Sequence, residues 1–221
     1  MMKKLLFVCL GATVLFSACV KKKNEVTGTT HVRFVNAIQN SYTQDVYVNN
    51  ALVYGAKLTE GNQSPYIDYT AGLSNVAISN TGTTNANILF TYGTTIGEYS
   101  TVFFFQDFDH ILVAGGIKDD MTAPPEGKAR VRFVNVDNYS ITSFKMDIAG
   151  GSNLFQSLVF ATASQYFDVD PGTKFTATAL SVKDPVTIDI NPQAGKIYTI
   201  WIGATSSEDL QAHAFIQNYF Q

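Results

Sequence analysis

The sequence predicts an all-β chain: two tandem antiparallel β-sandwich domains, immunoglobulin-like or transthyretin-like, behind a cleaved signal peptide. Three observations carry that expectation. The first is internal repetition. Arg33-Phe34-Val35-Asn36 returns as Arg132-Phe133-Val134-Asn135, Ser64-Pro65-Tyr66-Ile67-Asp68 as Ser164-Gln165-Tyr166-Phe167-Asp168, and Gly97 to Val102 as Gly195 to Ile200. The shift of 98–100 residues is too long for a solenoid period of about 20–50. The second is patterning: apolar runs are short, β-branched and aromatic, and none sustains the three-and-four spacing of an amphipathic helix. The third is the stretch Asp119-Asp120-Met121-Thr122-Ala123-Pro124-Pro125-Glu126-Gly127. Its prolines and glycine stop strand pairing and its charges favour water, so it reads as a boundary. The expected division is a signal peptide over 1–18, a tether over 19–30, sandwich one over 31–118, a linker over 119–128 and sandwich two over 129–221.

Each element follows from local chemistry. In Val32-Arg33-Phe34 and Val131-Arg132-Phe133 polar and apolar residues alternate, so the arginines point away from the face carrying Val and Phe. Asp45 to Asn50 followed by Leu52-Val53-Tyr54 reads as a hairpin turning at Asn49-Asn50, because Asn tolerates the positive φ of a tight turn. Gly150-Gly151 is expected to turn the matching hairpin in copy two, between Met146-Asp147-Ile148 and Leu154-Phe155. Further strands are expected at Tyr66–Tyr69, Val76–Ser79, Ile88–Tyr92, Tyr99–Phe105 and Ile111–Ala114. Their counterparts are Tyr166–Val169, Phe175–Leu180, Val186–Ile190, Tyr198–Ile202 and Ala212–Ile216. Seven or eight short strands per unit, with turn signals every ~8–12 residues, suit a sandwich. Phe103-Phe104-Phe105 and Trp201 are at least half core by alternation.

The N-terminus carries an address. Met1-Met2-Lys3-Lys4 is a basic start, and Leu5 to Phe16 is an apolar run well short of the ~20 residues a spanning helix needs. It leads into Phe16-Ser17-Ala18-Cys19, which resembles the lipobox of bacterial lipoproteins, with Phe where Leu is usual. The resemblance implies cleavage before Cys19 and acylation (palmitate or a similar chain) of that cysteine, the lipidation site. Cys9 is a poor rival because Val8 before it is not small. The mature chain then has no second cysteine for a disulfide. Its stability rests on apolar packing, for which units of about 95 residues suffice. Lys21 to Thr30 is polar and pattern-free, as a leash would be. The Lys21-Lys22-Lys23 cluster is a solvated start to that leash, or a patch for anionic lipid.

Only 15% of residues are charged and the formal net charge is −3. With no basic stripe beyond those lysines, a nucleic-acid partner is excluded.

Arg33 to Ala37, Asp45 to Asn50, Ser64-Pro65-Tyr66, Ala71-Gly72 and Gly97 with Tyr99 to Val102 together resemble the domain of unknown function 4397 family. The resemblance covers about 31–117 and, more weakly, 130–218. It implies secreted or cell-envelope bacterial proteins, with the domain often in tandem, and it transfers no catalytic residue. Asn36 and Asn135 stand where members often carry a His, and Lys145 stands in copy two where Asp45 does in copy one. The lipoprotein members look like those of Bacteroidetes, where acids soon after the cysteine favour surface export. Lys21-Lys22-Lys23 is not that signal, which implies the periplasmic face of the outer membrane ahead of the cell surface.

His31, His110 and His213 have no metal-ligand or nucleophile–base spacing, and read as solvated or capping residues. Asp107-Phe108-Asp109 sits where a hairpin must turn, and turn chemistry accounts for both acids; the oxygen-rich spacing of a calcium loop is missing. Asp168-Val169-Asp170-Pro171-Gly172 reads the same way, with a paired-carboxylate hydrolase as a distant third reading. No nucleophile elbow or phosphate-cradling loop appears. No catalytic residue, metal or cofactor is therefore assigned. Arg33/Arg132, Asn36/Asn135, Ser64/Ser164 and Asp68/Asp168 are the shared polar residues, expected to fix local geometry at turns and strand ends. For recognition there remain Tyr42, Tyr47, Tyr54, Tyr66, Tyr69, Tyr92 and Tyr99, which can stack on sugars, and the polar, flexible loop Ser79 to Asn87. The functional expectation is a non-enzymatic envelope lipoprotein binding envelope proteins or extracellular glycans. A structural accessory subunit of a glycan-uptake or adhesion complex is the alternative.

Overall fold

The computed structural model describes residues 27–139, 143–179, 185–206 and 209–217. The signal segment, Cys19, most of the expected tether and Leu180 lie outside the described residues. Copy one contains β1 (Thr29–Asn36), β2 (Gln44–Val48), β3 (Ala51–Leu58), β4 (Ile67–Thr70), β5 (Gly72–Asn80), β6 (Ala86–Thr94), β7 (Tyr99–Gln106) and β8 (Leu112–Lys118). Copy two contains β9 (Ala129–Asn135), β10 (Phe144–Ile148), β11 (Asn153–Leu158), β12 (Thr162–Ala163), β13 (Phe167–Val169), β14 (Phe175–Ala179), β15 (Val186–Ile188), β16 (Ile197–Ser206) and β17 (Asp209–Ile216). No helix occurs among the described residues, so the chain is all-β. β1 begins at Thr29, inside the stretch expected to be tether.

The two copies share one topology. Copy one forms sheets β4-β1-β7-β8 and β3-β2-β5-β6; copy two forms β12-β9-β16-β17, with β13 also on β9, and β11-β10-β14-β15. Pairing is antiparallel except at one place in each copy: β1 runs parallel to β7, and β9 parallel to β16. First and last-but-one strands thus become neighbours at the centre of a sheet.

Each copy has its own core between its two sheets. In copy one Val32, Phe34, Val46, Val76, Ile78, Val102 and Phe104 meet there. In copy two Val131, Phe133, Phe144, Met146, Phe175, Tyr198 and Ile200 do the same. A third cluster joins the copies: Val35, Ala37, Phe103 and Phe105 of copy one pack against Val134, Val136, Trp201 and Phe215 of copy two. The sheets carrying β1 and β9 therefore lie face to face, and both faces of β1, β7, β9 and β16 are buried. Alternation places at least half of Phe103-Phe104-Phe105 in a core; all three are buried because the second copy covers the other face.

Turns follow their residues. Asn49 and Asn50 have φ of 49° and 65°, the double positive values of a type I′ hairpin. The copy-two loop differs from the expected Gly150-Gly151 turn. It spans three residues, with Ile148 N–H donating to Ser152 O at 2.9 Å and only Gly150 at positive φ. Gly115 and Gly116 sit inside β8. A Cβ on Gly116 would lie 2.3 Å from the Tyr92 ring, so glycine there admits that ring.

The shared polar residues Ser64/Ser164 and Asn36/Asn135 act identically in both copies. Ser64 Oγ accepts from Phe34 N–H at 3.0 Å and donates to Pro65 O; Ser164 does the same with Phe133 and Gln165. Asn36 Nδ2 donates to Leu58 O and its Oδ1 accepts from Ile38 N–H; Asn135 repeats this with Leu158 and Asp137. They hold chain crossings in place.

Candidate functional site

The junction between the copies is where charge, aromatic rings and open volume coincide. On β1 and β9, Arg33 and Arg132 face the other copy beside Val35 and Val134. The expectation that they fix geometry within their own copies is corrected here: each reaches across. Arg33 NH1 donates to Ile216 O at 3.1 Å, at the end of β17. Arg132 NH1 donates to Lys118 O at 2.7 Å, at the end of β8. Residues 118 and 216 are equivalent under the repeat, so the exchange is reciprocal, as across a two-fold axis.

The ring beneath each arginine is also repeated. The Arg33 guanidinium lies 4.2 Å from the centre of the Tyr66 ring and 4.8 Å from that of Phe215; Arg132 lies 5.0 Å from that of Tyr166. Such stacking favours a cation most where water is excluded. Arg33 and Arg132 are only 5% and 2% exposed.

The counter-charges are not repeated. Asp119 was expected to face water as part of the linker, yet its side chain is fully buried. It binds Arg132 through Oδ1, while Oδ2 accepts from Tyr66 OH at 2.6 Å and Thr101 Oγ1 at 2.7 Å. Burial, reinforced by the Asp119 charge, pushes the Tyr66 hydroxyl well above its ordinary value, so it remains a proton donor to that carboxylate. Arg132 Nε also donates to Thr199 Oγ1 at 3.0 Å. In copy two the position equivalent to Asp119 is Gln217, whose Oε1 accepts from Tyr166 OH at 3.0 Å. Where Asp119 pairs with Arg132, the repeat thus puts an amide at the position that corresponds for Arg33. Desolvation lowers its proton affinity, and the more distant Asp119 offsets this in part. Its Nε, and Gln217 Nε2, are buried without a hydrogen-bond partner.

Beside Arg33 opens a cleft of about 880 Å³. His31, Tyr66, Asp68 and Tyr99 form its copy-one wall; Ile190, Tyr198 and Phe215 form the opposite one. His31 Nδ1 lies 2.6 Å from Asp68 Oδ1 and its ring stacks on Tyr99 at 4.2 Å. Tyr99 in turn meets Tyr66 edge-on at 5.1 Å. Asp68 and Asp168 are cross-strand partners rather than turn residues. Asp168 takes a two-pronged contact from Arg130, with Nε donating at 2.8 Å and NH2 at 3.3 Å, in the register that places His31 opposite Asp68.

The other residues singled out by sequence lie elsewhere. Asp107 Oδ1 accepts the backbone N–H groups of Asp109 and Ile111, which is turn chemistry. Asp170 pairs with Lys128 at 2.7 Å. His110 contacts Asn138, and His213 stacks on Trp201 at 4.0 Å, where burial lowers its pKa. Of the tyrosines singled out by sequence, Tyr66 and Tyr99 line the cleft; Tyr54, Tyr69 and Tyr92 pack on the copy-one core, and Tyr42 is exposed. The loop after β5, expected to be flexible, is tied down. Asp45 accepts from Thr81 Oγ1 and Gly82 N–H, and Asn87 Nδ2 donates to Gln44 Oε1 and Asn80 Oδ1. No group of three or more His, Cys, Asp or Glu able to hold a metal occurs among the described residues. Sequence reading missed Asp119, Gln217, Tyr198 and Phe215 as site residues; the one available signal was the alignment of Asp119 with Gln217 under the repeat.

Three solved structures share features with the chain. The TIE protein of Bacillus anthracis matches at 9% identity with a TM-score of 0.26, covering 80% of this chain and 34% of that one; the chain thus spans about a third of its length. The family CBM26 module CBMbc of Amy13K from Eubacterium rectale, solved with maltoheptaose, matches at 10% identity and a TM-score of 0.25, covering 84% and 96%. A candidate cell adhesion protein from Bacteroides eggerthii matches at 10% identity and a TM-score of 0.26, covering 86% and 95%. Likenesses this slight carry no functional argument. No curated protein matches the chain. The model of the domain of unknown function (DUF4397) matches residues 30–141, which takes in copy one from the second residue of β1, the linker and β9. That is half of the sequence, and the chain belongs to the DUF4397 family.

Proposed function

We propose that this chain is a non-enzymatic, lipid-anchored component of the bacterial outer membrane, and that its two sandwiches act together as one binding module for an envelope protein or an extracellular glycan. The observation that carries the reading is the junction cleft. It is the place where aromatic walls, a buried cation and open volume meet on rigid strands, the usual form of a recognition site. The acids that a hydrolase would use, Asp107 and Asp168, are already committed to a turn and to Arg130. Duplication here serves to build a site between copies rather than to offer two separate ones.

The test is binding of purified chain to arrays of glycans and of envelope proteins. Tyr99→Ala removes a ring from the cleft wall and should weaken capture at least tenfold, while Tyr42→Ala, at a distant exposed position, should leave it unchanged. Equal binding by both variants would place recognition elsewhere. For the anchor, Cys19→Ala should move the protein from the membrane to the soluble fraction and remove the fatty acyl mass; a variant that stays membrane-bound would refute acylation as the tether.

The accessory-subunit reading has one observation in its favour. Leu52, Tyr47, Ala77 and Leu89 stand in one cross-strand row on the outer face of the β3-β2-β5-β6 sheet, with Leu52 and Leu89 exposed. An apolar row of this kind suits contact with another protein.

A further inference from the structure

The outward-facing row of the second sheet differs between the copies. In copy one it runs Leu52-Tyr47-Ala77-Leu89 across β3, β2, β5 and β6. At the same register in copy two it is Asn153-Asp147-Thr176-Thr187, across β11, β10, β14 and β15. There Lys145 Nζ and Asn153 Nδ2 lie 2.7 and 2.8 Å from the Asp147 carboxylate, and the row is polar throughout. The fold therefore does not require apolar side chains at these positions. Copy one carries them all the same, with Leu52 and Leu89 55% and 68% exposed.

The row ends on a strand edge that nothing blunts. β6 is the outer strand of its sheet, nine residues long, with no charge and no proline from Ala86 to Thr94. Ladder parity shows which of its backbone groups face outward. Asn49 N–H donates to Asn75 O at 2.8 Å and Asn75 N–H to Asn49 Oδ1 at 2.9 Å, so Asn75 turns its backbone toward the β2 side. Direction alternates along a strand. Ser74, Val76 and Ile78 therefore turn toward Tyr92, Phe90 and Ile88, their partners on β6. Leu89 and Thr91 are left with N–H and C=O groups aimed away from β5. The other edges of copy one carry features that discourage pairing. β3 has shifts of register and Ala56 at a φ of 53°, β4 has four residues, and β8 ends on Lys118, ion-paired with Glu98. β15, the counterpart of β6, spans Val186–Ile188 and is soon followed by Pro192.

We propose that β6 is a docking edge for an extended segment of a partner protein, which adds a strand to the sheet at Leu89 and Thr91 and sets an apolar side chain beside Leu89. This deepens, and rests on, the accessory-subunit reading, and it is independent of the cleft. In strand addition the main-chain bonds supply the grip and alternate side chains the selectivity. The segment is uncharged where it docks, because neither β6 nor the row beside it offers a counter-charge. A Lys or Asp set next to Leu89 would lose water against apolar neighbours without compensation. It is apolar at every second residue, because the side chains on one of its faces continue the row of copy one.

The test is a panel of blocked heptapeptides in which Val, Ile or Leu alternates with Thr, Ser or Asn, added to residues 20–221 and followed by amide hydrogen exchange. At least one peptide should bind saturably and slow exchange at Leu89 and Thr91 at least tenfold, with Phe90, already turned to β5, unchanged. Leu89→Lys adds a charge on the solvent side of β6, and Thr91→Pro removes an outward N–H, a place where an edge strand tolerates proline. Each should weaken binding at least tenfold while the thermal midpoint holds. Thr187→Lys, at the equivalent position of copy two, and Tyr99→Ala in the cleft should leave it unchanged. Loss with Tyr99→Ala would move the peptide to the cleft and overturn the edge. Binding that survives Thr91→Pro but not Leu89→Lys would mean contact through the apolar row without an added strand, and would also overturn it. The proposal falls if no peptide slows those two amides. It falls equally if they are slow in the free chain and quicken when residues 20–26 are deleted, since the chain would then cover its own edge.

Discussion

Asp119→Ala should lower the unfolding free energy by about 3–5 kcal/mol, the usual cost of stripping one partner from a buried ion pair. Arg132, 2% exposed, would keep its charge with Lys118 O and Thr199 Oγ1 as its hydrogen-bond acceptors among the described residues. Tyr66 OH and Thr101 Oγ1 would lose their acceptor in the same step. Chemical denaturation read by Trp201 fluorescence measures this directly, because that indole lies in the cluster between the copies. Adding Arg132→Met should recover most of the loss, since a buried pair replaced by apolar groups is often close to neutral. A single-variant loss below about 1 kcal/mol would mean that water reaches the pair and relieves it.

Copy one alone, cut after the residues that pair with Arg132, should form a homodimer. Residues 27–122 would expose Val35, Ala37, Phe103 and Phe105, all buried in the intact chain. The reciprocal reach of Arg33 and Arg132 to equivalent carbonyls is the contact pattern that a two-fold axis generates, in which residue i meets j and j meets i. In such a dimer Arg33 of each protomer would meet the Asp119 carboxylate of the other, so both ion pairs would be complete. Sedimentation equilibrium should give twice the protomer mass, and Phe103→Asp should return it to a monomer. A monomer without that substitution would show that the face is held together only by the covalent linker.

Strand positions were legible because their cause is local. Alternation fixed Val32, Phe34, Val131 and Phe133 as inward residues, and the two asparagines of the first hairpin set its turn. The parallel pairings were not legible, because a strand's own residues do not say which neighbour lies beside it or in which direction that neighbour runs. The junction was written more faintly. Thr101-Val102-Phe103-Phe104-Phe105 and Ile197 to Ile202 are nearly unbroken apolar runs, the mark of strands covered on both sides. Alternation accounts for one face of them and leaves the other face without a cover. Asp119 shows the opposite failure. Placed among Pro, Gly and a second Asp, it has the company of a solvated linker, and only a cation on the following strand draws it inside. The cleft itself depends on a difference between repeats at Asp119 and Gln217, so looking for residues that the copies share could not find it.

The parallel seam has a mechanical consequence. Six residue pairs, from His31 opposite Tyr99 to Asn36 opposite Phe104, join β1 to β7, and six more join β9 to β16. Tension applied at Thr29 along the strand loads all rungs of that first seam together in shear, whereas an antiparallel hairpin pulled at its two free ends peels rung by rung. The protein would then behave under load as a lap joint and not as a zipper.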